Sequence, residues 1–334
     1  MGLPPEPETA KEITDMPDDI TKRIARFIEP FRVSPGSSVK LAKDFDPAFK
    51  AGIQKKKDGV GLLNDGISLL SEYQQRLAAQ ATHGVVVVLQ ALDAAGKDGT
   101  IRHVMSGVNP QGVRVDSFKV PSASELDHDY LRRYQERLPA RGGIGIFNRS
   151  HYEEVLVVRV HPENLVAQKL PAEAREHHVW KHRYHAINEW ERYLSDNGFR
   201  IVKLFLNLSK EEQRTRFLRR IDLPEHNWKF SSHDLQERRY WDAYQDAFSE
   251  MFTHTSTEWA PWYVIPADRK WFARVAAAAV IAQALIDIDP QYPTVGEDKL
   301  RDLQLAKVQL EAEAPDGAAP DPFAAAAVPA GAGA

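Results

Sequence analysis

A hydrophobic run that opens into a glycine-containing loop constrains this chain more than any other feature. Residues 85–100 read VVVVLQALDAAGKDGT. Val85–Leu89 has the composition of a buried strand, and helix-like sequence begins at Thr100. A strand–loop–helix unit of this kind presents successive backbone N–H groups and a helix N-terminus to an anion. The sequence therefore predicts that residues 91–98 form a phosphate-binding loop, which we call the phosphate loop.

The phosphate loop departs from the usual pattern G-x-x-x-x-G-K-[ST] at two positions. Gly96 and Lys97 match the pattern. Ala91 replaces the first glycine, and Asp98 replaces the hydroxyl residue that normally binds magnesium. Asp93 lies within the loop, where a carboxylate repels a phosphate unless a divalent cation lies between them. We therefore expect Asp93 to hold Mg²⁺ and Lys97 to contact the transferred phosphate; the alternative is a turn without a ligand.

Composition excludes several classes of site. The 334 residues carry a formal net charge of −4, so a surface that binds polyanions must concentrate its cations locally. The chain has no cysteine, which excludes disulfides, thiolate zinc sites and a cysteine nucleophile. The acidic, proline-rich N-terminus does not resemble a signal peptide. Val275–Ile288 is too short to span a bilayer and contains Gln283 and Asp287, so we expect a cytoplasmic protein.

Strand-like and helix-like segments alternate along the chain. Strands are predicted at Val85–Leu89, Val113–Val120, Ile144–Phe147, Arg200–Leu206 and Trp262–Ile265. Helices are predicted at Leu62–Ala79, Ser124–Leu138, 173–195, Ser209–Ile221, Leu235–Phe252 and Asp268–Ile286. This alternation predicts an α/β protein with a parallel sheet covered on both faces. Five strands with the phosphate loop after the first fit a P-loop kinase core.

Composition also predicts the organisation of the chain. We expect a disordered leader at residues 1–17 and a single P-loop kinase domain at 18–290. A helical extension is predicted at 291–311, followed at 312–334 by a low-complexity tail rich in alanine, proline and glycine. Within the domain, a lid is predicted at about 207–240, between the fourth and fifth strands.

Polar residues follow the predicted strand Ile144–Phe147, at the edge where ligands bind in open α/β sheets. Asn148 occupies the place where a P-loop enzyme needs a polar group to orient Mg²⁺, and this is usually an aspartate. Its amide supplies no charge, which places more weight on Asp93. Arg149 comes next, and its position favours a phosphate contact over a surface ion pair. Glu153 is a further candidate ligand for Mg²⁺, although most such glutamates lie on the surface.

The predicted lid combines basic and aromatic residues. Arg216, Arg219 and Arg220 are spaced to share one helix face, and Lys229 follows beside Trp228 in a polar loop. Such a segment suits a lid that closes over phosphates. The alternative is a solvated helix, because six acidic residues between 211 and 237 nearly balance the charge.

Three stretches together resemble the polyphosphate kinase 2 family. They read LDAAGKDGTIRHVMSGVNPQGVRVDSFKVPS, GGIGIFNRSHYEEVLVVRVHPE and FLNLSKEEQRTRFLRRIDLPEHNWKFSSHDLQERRYWDAY, with APWYVIPAD behind the third. The resemblance extends from about Arg32 to Ile288. It implies a thymidylate-kinase-like, three-layer fold with a helical lid. It also implies magnesium-dependent phosphoryl transfer between inorganic polyphosphate and nucleotides.

The resemblance assigns roles by position in these motifs. Asp93 and Lys97 match the family's phosphate-loop acid and lysine. Arg149 matches the arginine after its second motif, and Lys229 matches the lysine of its lid. Asn148 stands where most of the family has aspartate, which puts a simple two-carboxylate metal site in doubt. The form FNRSHYEEV is similar to the subgroup that accepts both nucleoside mono- and diphosphates, so AMP would be carried through ADP to ATP.

The expected site can be stated residue by residue. Catalytic roles are expected of Asp93, Lys97 and Arg149. The metal ion, Mg²⁺ or alternatively Mn²⁺, is expected on Asp93, Asn148 and Glu153. Nucleotide and phosphate groups are expected to contact Ala94, Ala95, Gly96, Asp98, Gly99, Thr100, Arg102, Asn148, Arg216, Arg220 and Lys229. Among these, the track for the polymer is expected along Arg216, Arg220 and Lys229.

Two alternative functions stay open at this point. One is a nucleoside monophosphate kinase that uses ATP as donor. The other is a non-catalytic polyanion-binding module, which the altered phosphate loop would favour. The expected partners are inorganic polyphosphate and adenine or guanine nucleotides, with no nucleic acid and no membrane. A homo-oligomer, either dimer or tetramer, is also expected.

Overall fold

Five strands form one parallel sheet in the computed structural model, which describes residues 20–175 and 178–313. The strands are β1 (Gly84–Ala91), β2 (Val113–Ser117), β3 (Ile144–Asn148), β4 (Phe199–Asn207) and β5 (Trp262–Pro266). Their order in the sheet is β2-β3-β1-β4-β5, and every neighbouring pair is parallel. The prediction of an α/β fold with five parallel strands is confirmed. The central position of β1 buries it on both faces, which explains its continuous apolar sequence.

The helices of eight or more residues in the described part of the chain are α1 (residues 20–28), α2 (Lys56–Gln80), α3 (Lys97–Val104), α4 (Val179–Asp196), α5 (Lys210–Asp222), α6 (Trp241–Thr255), α7 (Lys270–Ile288) and α8 (Glu297–Ala312). Shorter α-helices lie at Leu41–Asp44, Ala123–Leu126, Arg132–Gln135, Val157–Val160, Glu163–Val166, Ala172–Arg175 and Ser232–Glu237. Turns of 3₁₀ helix lie at Glu29–Phe31, Pro110–Gly112, His151–Val155, Pro224–Lys229 and Arg238–Tyr240.

Helices cover both faces of the sheet and give it three layers. Alternate side chains of a strand point to opposite faces, so Val85 and Val87 pack in one core cluster, with residues of α2 and α7. Val86 and Val88 pack in the other, with residues of α4 and α6. The predicted three-layer arrangement is confirmed, because β1 is buried between helices on both faces of the sheet.

Helix α7 is longer than the apolar segment Val275–Ile288 suggests. It has 19 residues, and a window of 18 of them has a mean hydropathy of 1.6. By length and composition alone it could therefore cross a membrane. The expectation that no segment is long enough is therefore wrong as a statement about length. In the structure, however, 61% of this apolar window is buried. The helix packs along α2 and against the sheet, and this core position accounts for its composition.

The predicted helix Ser124–Leu138 is wrong in its start and its continuity. It begins at Ala123, because the Ser122 side chain accepts a hydrogen bond from the backbone N–H of Glu125 and the Glu125 carboxylate accepts one from Ser122. This first helix ends at Leu126. A second short helix, Arg132–Gln135, follows the break.

The predicted helix Leu235–Phe252 is also broken. The structure has the short helix Ser232–Glu237, a 3₁₀ turn at Arg238–Tyr240, and then α6. A capping box between Ser231 and Asp234 starts the short helix. Arg238 donates to the backbone oxygen of Lys210 and to the side-chain oxygen of Gln213. These bonds tie the bend to the start of α5.

The chain divides into two compact units, the first ending at Tyr292 and the second beginning at Pro293. The sheet and its helices belong to the first unit. In the second unit the described residues form α8, in the region where a helical extension was predicted. The predicted leader and all but two residues of the predicted tail lie outside the described residues.

Candidate active site

A cleft of about 1270 Å³ lies beyond the carboxyl ends of the strands. This is the edge of a parallel sheet at which ligands bind. The lining includes the phosphate loop, the residues that follow β3, and the predicted lid. Each residue predicted for the site contributes to the lining: Asp93, Ala94, Ala95, Gly96, Lys97, Asp98, Gly99, Thr100, Arg102, Asn148, Arg149, Glu153, Arg216, Arg220 and Lys229.

The phosphate loop has the backbone of an anion cradle. Gly96 has φ 105°, a conformation that costs glycine little, and α3 begins at the next residue. Ala94 has φ 63°, which costs an L-residue about 1–2 kcal/mol. The first turn of α3 carries N–H groups that have no partner within the helix. The loop therefore holds a strained shape that turns donors towards an anion.

Lys97 lies at the start of α3 and folds back over the loop. Its Nζ donates to the backbone oxygen of Ala91 at 2.9 Å, which is the position of the missing first glycine. Burial, and then the charge of Arg149, lower the pKa of Lys97 below its usual range, while Asp93 acts in the opposite direction. The ammonium group is therefore poorly compensated by the protein and suited to an anionic ligand.

The structure brings Asp93, Arg149 and Glu153 together. Arg149 Nη2 donates to Asp93 Oδ1 at 3.3 Å, and Nη1 lies 3.7 Å from Glu153 Oε2. The two carboxylates, Glu153 first, raise the pKa of Arg149 against the effect of burial. Arg149 also has φ 64°, in the left-handed region that non-glycine residues rarely adopt. The predicted arginine is thus held between the two predicted acids on a strained backbone.

Asn148 pairs with one of the unusual residues of the phosphate loop. Its Nδ2 donates to Asp98 Oδ1 at 2.8 Å and reaches Ser117 Oγ at 3.4 Å. Its Oδ1 is buried and has no hydrogen-bond partner among the described residues. An aspartate at position 148 would face Asp98 with a second carboxylate. Asn148 and Asp98, which both depart from the usual motifs, therefore compensate each other. The sequence did not reveal this pairing because fifty positions separate the two residues.

Arg216 lines the cleft but makes its hydrogen bonds within the protein. It is 5% exposed, and each N–H of its guanidinium is engaged. Nη1 donates to the backbone oxygens of Ala94 and Ala95, and Nη2 donates to those of Ala267 and Asp268. Nε donates to Glu212 at 2.8 Å. Arg216 therefore holds the phosphate loop in place, and its expected contact with the polymer stays a prediction.

The other two residues of the predicted track, Arg220 and Lys229, differ in how free they are to contact a polyanion. Arg220 pairs with Asp234 at 3.2 Å and lies over the ring of Phe217. Lys229 is exposed, and its Nζ lies 4.8 Å from the centroid of the Trp228 ring. Of the three predicted cations, Lys229 is the one that remains open to a polyanion.

Eight lysines and arginines of the lining have no carboxylate within 4 Å among the described residues: Lys97, Arg102, Lys119, Arg219, Lys229, Arg238, Lys270 and Arg274. We call four of them, Arg102, Arg219, Lys270 and Arg274, the cation group. Burial, and then Arg216 and Arg219, lower the pKa of Lys270. Burial, and then Arg102, lower the pKa of Arg274, whose Nε is buried with no hydrogen-bond partner in the described part of the chain. The group therefore carries uncompensated positive charge inside the cleft.

Sequence reasoning missed Lys270 and Arg274. They lie four residues apart at the start of α7, where the helix dipole disfavours cations. Two cations at this spacing in an otherwise apolar helix were the sequence feature that could have identified them as site residues. Paired carboxylates do not account for these cations, so their position points to an anionic ligand in the cleft.

The residues present also limit how a metal ion would be held. Within residues 20–175 and 178–313, no group of three or more histidines and carboxylates is arranged to hold one. Mg²⁺ in proteins commonly takes one or two carboxylates and completes its shell with water and substrate phosphates. Asp93 at the loop and the partnerless Oδ1 of Asn148 fit such a partial site. Glu153 also lines the cleft and, like Asp93, pairs with Arg149.

Comparison with known proteins gives consistent results. Residues 54–293 match the family model described as Polyphosphate kinase 2 (PPK2). An ADP-polyphosphate phosphotransferase of Rhodopseudomonas palustris is 49% identical over 284 residues, which cover 84% of this chain and 97% of that protein. An AMP/ADP-polyphosphate phosphotransferase of Meiothermus ruber is 47% identical over 270 residues, covering 80% and 96%.

A solved structure agrees with these relatives. The crystal structure of polyphosphate kinase 2 from Arthrobacter aurescens TC1 matches with a TM-score of 0.74 at 40% sequence identity. The match covers 83% of this chain and 96% of that chain. The residues that match the family model, 54–293, include the five strands, the phosphate loop and the region of the predicted lid.

We predict that Arg216→Lys loosens the phosphate loop and destabilises the fold. Lysine keeps the charge but lacks the planar fork that reaches four carbonyl groups at once. The free energy of unfolding should fall by about 1–3 kcal/mol, because buried carbonyl oxygens lose their donors. Urea unfolding checks this. Arg219→Lys, three residues along the same helix and exposed, is the control and should stay within about 0.5 kcal/mol. Equal effects of the two substitutions would contradict the role given to Arg216.

Proposed function

Because the chain belongs to the polyphosphate kinase 2 family, we propose that it transfers the terminal phosphoryl group of inorganic polyphosphate to AMP and to ADP. The products are ADP and ATP, and the transfer is reversible. The observation that carries the proposal is the convergence of Asp93, Lys97 and Arg149 at the phosphate loop. Relatives at 49% and 47% identity are named for this transfer, so an ATP-dependent nucleoside monophosphate kinase is not favoured.

The acceptor range follows from two relatives with different names. One is named for ADP alone and the other for both AMP and ADP. The sequence FNRSHYEEV led us to expect the subgroup that uses both, and we propose that both are accepted. The choice between adenine and guanine stays a prediction. So do homo-oligomeric assembly, cytoplasmic location, and the expected absence of nucleic acid and membrane partners.

The transfer proposed is direct and in line. An oxygen of the acceptor's terminal phosphate forms a bond to the last phosphorus of the polymer, and the bridging oxygen of that phosphorus leaves on the shortened chain. Lys97 and Arg149 would neutralise the charge that spreads over the transferred group. Because the work is positioning and charge stabilisation, no covalent phosphoenzyme is needed. The pair formed by Arg149 and Asp93 would keep the guanidinium aimed at that group.

We propose Mg²⁺, with Mn²⁺ as the alternative, as the metal ion of this site. Asp93 would hold it, with Asn148 Oδ1 as a further ligand, because that oxygen is buried and accepts no hydrogen bond within residues 20–175 and 178–313. When bound, the ion would supply positive charge between the Asp93 carboxylate and the phosphate oxygens. Glu153 stays a further candidate ligand, and Arg149 pairs with it as it does with Asp93.

The polymer beyond its terminal group is proposed to follow the cation group. Arg216 donates to carbonyl oxygens of the phosphate loop and Arg220 pairs with Asp234, so two of the three cations first predicted for the track already have partners within the protein. Lys270 and Arg274, by contrast, line the cleft without carboxylate partners among the described residues. A polyanion there would be stabilised without first breaking an ion pair.

The central experiment supplies AMP and polyphosphate without any ATP. We expect ADP and then ATP to form. Lys97→Met should lower kcat by about 10²–10³-fold, the usual effect of removing a group that stabilises transition-state charge. Lys181→Met, on the exposed side of α4, is the control and should leave kcat unchanged. No product with polyphosphate, but product with ATP as donor, would identify the ATP-dependent kinase instead. Binding of polyphosphate without turnover by either donor would identify the non-catalytic module.

We predict that Asp93→Asn raises the Mg²⁺ concentration needed for half-maximal rate. The asparagine keeps the shape but removes the charge that attracts the cation, so the shift should be about tenfold or more. A titration of rate against Mg²⁺ measures it, with Asp196→Asn at the exposed end of α4 as the control. Undiminished turnover of the unaltered protein in excess chelator would overturn the metal assignment.

We predict that the double substitution Lys270→Gln/Arg274→Gln weakens the use of long-chain polyphosphate more than the use of a short chain. The KM for long-chain polyphosphate should rise about tenfold, equivalent to about 1.4 kcal/mol. The KM for tripolyphosphate should change less than about twofold, because a short donor does not reach the whole group. Arg269→Gln, the exposed neighbour outside the cleft, is the control. Equal changes for both donors, or none for either, would contradict the track.

A further inference from the structure

A fully buried ion pair lies beneath the residues that follow β3. Lys203 on β4 and Glu191 on α4 are both 0% exposed, and Nζ lies 2.7 Å from Oε2. Lys203 Nζ also donates to the hydroxyl oxygen of Tyr152 at 2.9 Å and to the backbone oxygen of Thr255 at 2.6 Å. One ammonium group therefore joins β4, α4, the end of α6 and the turn after β3.

Glu191 fixes the same turn through its other oxygen. Oε1 accepts from the Tyr152 hydroxyl at 2.8 Å and from His151 Nε2 at 3.1 Å. Burial alone would raise the pKa of Glu191, but Lys203 and His151 bring it below its usual value. The carboxylate is thus charged in the interior, where a charge is tolerated only with complete pairing. Tyr152 and His151 are part of that pairing and cannot move without breaking it.

Hydrogen bonds also fix the short segment that joins Arg149 to Tyr152. Ser150 Oγ accepts from Gln90 Nε2 on β1 at 3.1 Å and from the backbone N–H of Tyr152 at 3.3 Å. The backbone N–H of Arg149 donates to the oxygen of Leu89 at 3.1 Å. Its left-handed backbone persists only if the surroundings over-determine it. These bonds on both sides of Arg149 supply that constraint.

We propose that Tyr152, Glu191 and Lys203 are positioning residues that act through Arg149. They hold the turn from below, keep the strained backbone of Arg149 in place, and so aim its guanidinium into the cleft. None of the three lines the cleft. Stability alone does not explain the pair, because replacing a buried ion pair by apolar residues is often neutral or stabilising. The inference rests on the proposed role of Arg149 in the transfer.

The decisive experiment is a double-mutant cycle between Tyr152→Phe and Arg149→Ala. Tyr152→Phe removes the hydroxyl link while Lys203 and Glu191 stay paired. We expect it to lower kcat for AMP phosphorylation about tenfold and to change the KM for AMP less than about twofold. In the Arg149→Ala background the same substitution should change kcat less than about twofold, because its effect passes through the missing guanidinium. Equal tenfold losses in both backgrounds, or no loss in either, would overturn the proposal.

A second measurement does not depend on turnover. Hydrogen exchange of the Arg149 amide should be about tenfold faster in Tyr152→Phe than in the unaltered protein. Ile281→Val, a truncation in the core on α7, is the control for general destabilisation and should leave this amide protected. Unchanged protection of this amide in Tyr152→Phe would overturn the proposal that Tyr152, Glu191 and Lys203 hold the backbone of Arg149. A protein with no polyphosphate turnover would instead refute the proposed function, and hydrogen exchange would still show whether these residues hold Arg149.

Discussion

The guanidinium of Arg216 is the interaction on which the shape of the cleft depends. It donates to carbonyl oxygens of the phosphate loop and to those of the segment between β5 and α7. The N–H and C=O of one peptide unit point in opposite directions, so fixing the Ala95 carbonyl turns the Gly96 N–H away from Arg216. One buried side chain on α5 thus sets the direction of donors on another element. The loop keeps an anion-binding shape although it lacks the first glycine of the usual motif.

Charge in the cleft is divided between paired and unpaired groups. Arg149 lies between Asp93 and Glu153, and Arg220 pairs with Asp234. The cation group has no such partners among the described residues. This division explains how a chain of net charge −4 can present a locally positive surface. Paired groups keep a fixed geometry for the reacting atoms, whereas unpaired groups are available to a polymeric anion.

Local sequence patterns predicted the features that are local in the fold. The continuous apolar run of β1, the glycine and lysine after it, and the polar residues directly after β3 were all identified from spacing, because each belongs to one strand and its following turn. The alternation of segments was enough for the parallel sheet. The role of Arg216 was missed because its five acceptors come from three separate parts of the chain. The break before α6 was missed because long-range contacts of Arg238 create it.

The hydrogen bond between Asn148 and Asp98 makes these two positions epistatic. The outcome depends on the order of the changes. An aspartate at 148 would remove the donor and place a second carboxylate beside Asp98, whereas a hydroxyl residue at 98 would still offer Asn148 an oxygen that accepts. A chain that moves from this arrangement to the commoner hydroxyl-and-aspartate motif therefore has an open route when codon 98 changes first and a costly one when codon 148 does. Directed evolution by single substitutions would be expected to follow the first order.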